Sequence, residues 1–270
     1  MSWRIGISSG ACTDRPILEM LPAIVRSGAR GIEVGTPPRH FDPWQPAQVD
    51  AVASALRTVG LEPVSIHAPF GGVLDLADPN PHHRHAAIGA VLTAASALKA
   101  IGGRLVVVHP SDITRRSSDV DARLAASAES LAILAASCRQ EDMTLVLESP
   151  LPHLIGGQPE EFRWLVARLD ESVRVCLDTG HAALGRHWRA LLDAAGGRLL
   201  HVHANDNHGQ GDDHLPPGDG TIDWSAVVSS LDACGFDGWI MLELHCPDDD
   251  PAAFFRRAFD RASDLLSVRA

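Results

Sequence analysis

The stretch HVHANDNHGQGDDHLPPGDGTIDW, residues 201–224, packs four histidines and five aspartates into 24 positions. Imidazoles and carboxylates at this density either solvate a loop or hold a metal, since both offer lone pairs to a divalent cation. Residues of the same kind recur elsewhere, each at the end of a short apolar run. They are His67 in SIHAPF, His109 in VVVHPSD, Glu148 in LVLESP, Asp178 and His181 in CLDTGH, His203 in HVHAND, Asp212 and His214 as D-x-H, and Glu243 in MLELH. One histidine so placed is commonly a satisfied polar residue, and one aspartate a helix cap. Six successive placements are harder to ascribe to chance, and four carboxylates brought together repel unless cations neutralise them. Mixed imidazole and carboxylate donors suit Zn²⁺, Mn²⁺ or Fe²⁺ better than Ca²⁺. One ion takes about four protein ligands, or three with an open position, so this set is large enough for two or three ions, with Zn²⁺ expected first.

What brings these residues together must be the fold. Strands are expected at 3–8, 32–35, 63–67, 105–109, 144–148, 173–178, 199–203 and 239–243, each an apolar block without polar alternation, as in buried parallel strands. Helical patterns, with apolar residues at i, i+3, i+4 and i+7, lie between them at 17–28, 50–60, 85–103, 119–141, 159–169, 183–197, 223–235 and 251–267. Several end in glycine, the usual helix stop. Eight strand–helix units in 270 residues describe a single (β/α)₈ TIM barrel over residues 1–270. A doubly wound sheet is the alternative, but SGACTDRP after the first strand is no phosphate fingerprint. In a barrel, the ends of the strands share one mouth, and that is where the nine side chains fall.

Composition narrows the partners. The net charge of −11 argues against general affinity for nucleic acid, although a local cationic rim can outvote the total. The chain has no apolar run of membrane-spanning length, and MSWRIGISSGACTDRP has no signal-peptide core, so a cytoplasmic protein is expected. Five scattered cysteines without a CxxC read as small core residues rather than disulfides. A homo-oligomer built through the outer helices is also an expectation.

CLDTGHA, HVHAND and HLPPGDGTIDW are the most specific pieces of a pattern running from HAPF to LELH. The pattern resembles the xylose isomerase-like TIM barrel superfamily, which holds sugar isomerases and epimerases and the endonuclease IV type of repair enzyme. For the sugar-active branch the resemblance implies one metal at Glu148, Asp178, His203 and Glu243. For the endonuclease IV branch it implies three zinc ions on nine ligands, and all nine types are matched here: His67, His109, Glu148, Asp178, His181, His203, Asp212, His214 and Glu243. Sugar epimerases typically lack the histidines of strands 3 and 4 and carry Arg at the position of His214. The chain also departs from the endonuclease pattern, with GTPPRHFDPWQP after strand 2 and SP after Glu148.

Two chemistries follow. In the first, clustered ions hydrolyse the phosphoester of a small or sugar-like substrate. Glu148 bridges two ions, Glu243 orients the nucleophile, and His67, His109, Asp212 and His214 complete the outer sites. In the second, one Mn-like ion polarises a sugar or sugar phosphate. Glu148 and Glu243 then shuttle protons through an enediol, while His181 and His214 contact hydroxyls. The first uses all nine residues and is favoured by economy; a barrel kept only for binding is not expected to retain them all. Phe70 and Trp44 are expected to stack on substrate, and Glu33 is grouped with them or with an imidazole it orients. A salt bridge of Glu33 to Arg39 is the plainer reading. His201 is expected to be an interior residue below His203, Asp206 and His208 to lie on a solvated loop, and GGVLDLADPN to cover the site.

Overall fold

The computed structural model describes residues 3–116, 118–247 and 250–267. Eight parallel strands close into a ring in chain order. They are β1 (Arg4–Ser8), β2 (Gly31–Gly35), β3 (Glu62–His67), β4 (Leu105–Val108), β5 (Thr144–Glu148), β6 (Arg174–Asp178), β7 (Leu199–Ala204) and β8 (Trp239–Leu242). Around them run α1 (Ile17–Ser27), α2 (Pro46–Val59), α3 (Pro81–Ile101), α4 (Val120–Gln140), α5 (Pro159–Val166), α6 (Thr179–Gly185), α7 (Trp188–Ala195), α8 (Trp224–Ala233) and α9 (Pro251–Ser267). This is the expected (β/α)₈ barrel.

The helix limits shift where caps take over from periodicity. α2 and α3 begin earlier than expected, at Pro46 and Pro81, because a proline at the first turn needs no N–H partner. The single helix expected at 183–197 is two. The Asp178 side chain accepts from His181 N at 2.7 Å, so α6 starts directly after β6. It ends at Arg186, whose left-handed φ of 55° breaks the run.

The main core lies between sheet and helices, with Phe41, Phe162 and Phe255 fully buried. Inside the ring, Val64, Trp239 and Met241 fill the floor, and Val107, Val146 and Cys176 form another interior cluster. Gly6 and Gly31 make this possible: a Cβ on Gly6 would lie 2.6 Å from Met241 Sδ, and one on Gly31 would strike the Trp239 ring. Two strand pairings contain a register step. Ile32 and Glu33 pair with Pro63 and Ser65, leaving Val64 as the extra residue on β3. Val175 and Cys176 pair with Leu199 and His201, leaving Leu200 extra on β7. Such steps let neighbouring residues face the same side and re-aim side chains.

Candidate metal centre

The structure brings all nine predicted residues to the mouth, in three touching groups of metal-binding type. The central group is Glu148, Asp178, His203 and Glu243, one donor atom each, all within 4.8 Å of one another. His203 Nδ1 lies 3.2 Å from Glu148 Oε1 and 3.2 Å from Glu243 Oε2. To one side, His67 Nε2 and His109 Nε2 each lie 3.2 Å from Glu148 Oε2. To the other, Asp212 Oδ2 lies 3.4 Å from His181 Nε2 and 3.1 Å from His214 Nε2.

Imidazole orientation follows from anchoring on the outer nitrogen. Nδ1 of His67 donates to Ala68 O, that of His181 to Ser149 O, and that of His214 to Glu243 O, at 3.2, 2.9 and 2.9 Å. A carbonyl only accepts, so in each ring Nδ1 carries the proton and Nε2 is turned to the centre. His214 needs a left-handed backbone, φ 48°, to do this. Asn205 Nδ2 donates to Asp178 Oδ2 at 2.7 Å and fixes that carboxylate.

Several buried donors in the centre have no hydrogen-bond partner: both oxygens of Glu148, His203 Nδ1 and Asp212 Oδ1. Lone-pair atoms gathered at 3.2 Å without hydrogen-bond geometry fit a divalent ion, which would satisfy them together. The electrostatics agree. Burial opposes charge on His67, yet the Glu148 carboxylate outweighs it and holds the ring up to about 9. His181 and His214 are likewise lifted against burial to about 10, chiefly by Asp178 and Asp212 respectively. Burial pushes the Asp178 carboxyl up despite the His181 charge. Burial also opposes ionisation of Glu148, but His203 and His109 keep it well below the usual range. Protonated imidazoles thus supply, in the metal-free protein, the positive charge a metal would bring.

Glu33 takes the expected place behind an imidazole rather than the salt bridge, and three other supporting features differ from expectation. Glu33 does not reach the rim or Arg39. It is fully buried below His203, with Oε2 3.2 Å from His203 Nε2 and 3.3 Å from His201 Nε2. Asp206 is not solvated: it is buried and accepts from Gly218 N, Ile222 N and Trp224 Nε1 at 2.8–3.1 Å. Those bonds order the loop that carries Asp212 and His214. Trp44 is half exposed and is not among the residues lining the cavity beside the centre. In GGVLDLADPN, Asp75 is tied down by Ser111 and Arg123 and is buried with Leu76 and Ala77, while Gly72, Val73, Pro79 and Asn80 are exposed. Phe70 does sit over the centre, its ring 5.0 Å from His67 and 4.4 Å from His109. His201 is buried in the interior as expected, in a deeper group with Cys176 and His203. His208 is exposed.

A cavity of about 240 Å³ opens beside the centre at the ends of β1, β2, β3 and β8. Glu243, His214 and Phe70 line it together with Thr13, Thr36 and His245. The last three were not singled out from sequence; SGACT, GTPP and LELH place them just past strand ends, which is the only signal they gave. No Lys or Arg lines it among the described residues. The chain's one lysine, Lys99, pairs with Glu141 on the outer helices.

The xylose isomerase-like TIM barrel model matches residues 21–264. The chain belongs to this family. It is 24% identical over 268 residues to the 3-dehydro-D-guloside 4-epimerase of Escherichia coli K12, covering 94% of this chain and 96% of that protein. With an uncharacterized protein of Methanocaldococcus jannaschii it shares 28% identity over 188 residues, 67% of this chain, and there it spans 64% of the relative's length. Among solved structures, a D-tagatose 3-epimerase-like protein superposes with a TM-score of 0.83 at 22% identity, over 97% of this chain and 98% of that one. The IolI protein with a bound zinc atom superposes at 0.82 and 19% identity, over 98% of each chain. At these identities the structural matches speak for the fold. No helix among the described residues is long and apolar enough to cross a membrane.

Proposed function

We propose that the chain is a divalent-metal-dependent isomerase or epimerase, moving a proton at the carbon beside the carbonyl of a small sugar-like substrate. The reading rests on the central group, where glutamates from the ends of β5 and β8 meet at His203 Nδ1. The epimerase names among its relatives support it. Glu148, Asp178, His203 and Glu243 would hold the ion, which supplies Lewis-acid polarisation of the carbonyl and neighbouring hydroxyl. The two glutamates are not equivalent. Glu243 is 18% exposed and faces the cavity, whereas Glu148 is 1% exposed behind His67 and His109. Glu243 therefore takes the proton from carbon, and the electrons of that bond move onto the carbonyl as an enediolate. Proton return to the adjacent carbon, with the hydroxyl proton passing to the former carbonyl oxygen, gives the isomer; return to the opposite face of the original carbon through Glu148 gives the epimer. His214 and His181 donate to hydroxyls, and Phe70 covers an apolar sugar face.

The test is proton exchange. Protein loaded with Mn²⁺ or Zn²⁺ is incubated in D₂O with a panel of ketohexoses and keto-glycosides, and deuterium at carbon is read by NMR. Exchange with at least one, lost in Glu243→Gln, is expected. Absence of exchange across the panel, with hydrolysis of bis-p-nitrophenyl phosphate instead, overturns the reading.

That second outcome has its own supporting observation. Glu148 Oε2 faces His67 and His109 while its Oε1 faces His203, so His67 and His109 could hold a second ion beside the central one with Glu148 contributing to both. Ions about 3.5–4 Å apart serve in-line displacement at phosphorus. Two or three ions per chain by elemental analysis, with activity abolished by His109→Ala, would favour this phosphoester hydrolase; a single ion and a partial loss favour the isomerase.

A further inference from the structure

We propose that Glu33 is the positioning residue of His203 and sets how tightly the central group holds its ion. The proposal rests on the metal-dependent reading above. Glu33 is fully buried, and its recorded partners are His203, His201 and the Ser65 hydroxyl, which donates to Oε2 at 2.8 Å. Its Oε1 has no partner. A buried carboxylate facing neither Arg nor Lys is costly to keep, so its retention calls for a function. It does not line the cavity and cannot touch substrate. What it touches is the back of His203.

His203 has two ring nitrogens and two jobs for them. Nε2 lies 3.2 Å from Glu33 Oε2, and Nδ1 lies 3.2 Å from Glu148 and from Glu243. A carboxylate behind the ring accepts a hydrogen bond from Nε2–H and so keeps the proton on Nε2. That leaves the Nδ1 lone pair facing the centre and makes it more basic toward a cation. Ser65 and His201 give Oε2 two more donors and hold the carboxylate still.

The backbone is arranged for the same contact. The two register steps of the ring fall here: the extra Val64 sets Ser65 level with Glu33, and the extra Leu200 sets His201 level with Cys176. The same two steps set the register beyond them, with Asp178 level with His203 and Gly35 level with His67, so they place the layer beneath the centre and the centre above it together.

The experiment titrates metal-free wild-type protein, Glu33→Gln and Ser65→Ala with Zn²⁺ against a chromophoric chelator. Co²⁺ spectra and metal-free melting temperatures are recorded beside it. Glu33→Gln keeps shape and removes charge. Its Zn²⁺ affinity should fall about 10–100-fold, with altered Co²⁺ bands and a metal-free melting temperature within a few degrees of wild type. Ser65→Ala should lose affinity in the same direction, by about 2–10-fold, and it carries the test alone if Glu33→Gln does not fold. Unchanged affinity in a folded Glu33→Gln, or in Ser65→Ala when it stands alone, overturns the role of Glu33. So does a loss matched by an equal loss of metal-free stability. If wild-type protein takes up neither Zn²⁺ nor Co²⁺, the metal reading itself falls, an outcome distinct from the other two.

Discussion

The two outer groups flanking the central one are built differently. His67 and His109 stand at strand ends and are 9% and 10% exposed in their side chains; the third member, Glu148, is shared with the centre. In the other group His181 is 6% exposed on α6, but Asp212 and His214 are 24% and 26% exposed on a long loop. That loop owes its shape to Asp206, whose side chain binds backbone at 218 and 222 and the Trp224 indole. Strand ends of a closed barrel have almost no freedom, whereas a loop organised by one carboxylate can open at modest cost. The first group should therefore behave as fixed scaffold and the second as the adjustable wall.

The hardest test removes what the scaffold side shares with the centre. Glu148→Ala strips the counter-charge from His67, His109 and His203 and should lower turnover by at least about 10²–10⁴-fold. Elemental analysis should show the ion of the central group lost, since Glu148 is one of its four holders. Asp206→Ala should break only the other side. Leaving buried N–H groups without their acceptor costs roughly 2–4 kcal/mol, readable by calorimetry, while the ion of the central group should stay bound. Loss of that central ion in Asp206→Ala would dissolve the contrast between scaffold and wall.

A smaller effect is expected from pH. In the metal-free protein His67 sits at about 9 and His181 and His214 at about 10, above the ordinary 6.5. Raised histidines stabilise that form fully below about 6.5, and the contribution fades as pH climbs through 9–10. An incoming cation works against the same charges, and the His203 ring that would bind it is itself raised well above 6.5, so Zn²⁺ affinity should strengthen from pH 6 to about pH 9. Calorimetry in buffers of different ionisation enthalpy should register the proton release. The least effect belongs to Phe70→Ala. Half exposed beside the cavity, it should raise KM a few-fold and change stability by less than about 0.5 kcal/mol.

The eight strands were readable because runs such as LVVV and WIML are short, apolar and buried on both faces. Since the mouth lies at their C-terminal ends, the nine donors could be listed before any geometry was known. What the sequence left open concerns partners across the ring: Glu33 could be given an imidazole to orient, but not His203 in particular. Glu33 and His203 are 170 residues apart, and strand periodicity tells which face a side chain takes but not what stands opposite. Asp206 looked like loop polarity because its acceptor role depends on a turn that forms only once 218–224 folds back over it. The split between α6 and α7 was hidden because ALGRHWRALLDAAGG is helix-like throughout; the early start comes from the Asp178 cap, and the break falls at Arg186, a left-handed residue whose type gives no sign of a helix stop. Trp44 was misplaced by analogy between aromatic type and stacking role.

The floor of the barrel has a consequence of its own. Trp239 fills the interior, capped from below by the Arg4 guanidinium 4.9 Å from its ring, with Gly6 and Gly31 leaving no slack around it and Met241. The ring is filled at that end, so under the proposed chemistry reactant and product share the opening at the strand ends, and accumulated product should slow the reaction by competing for entry.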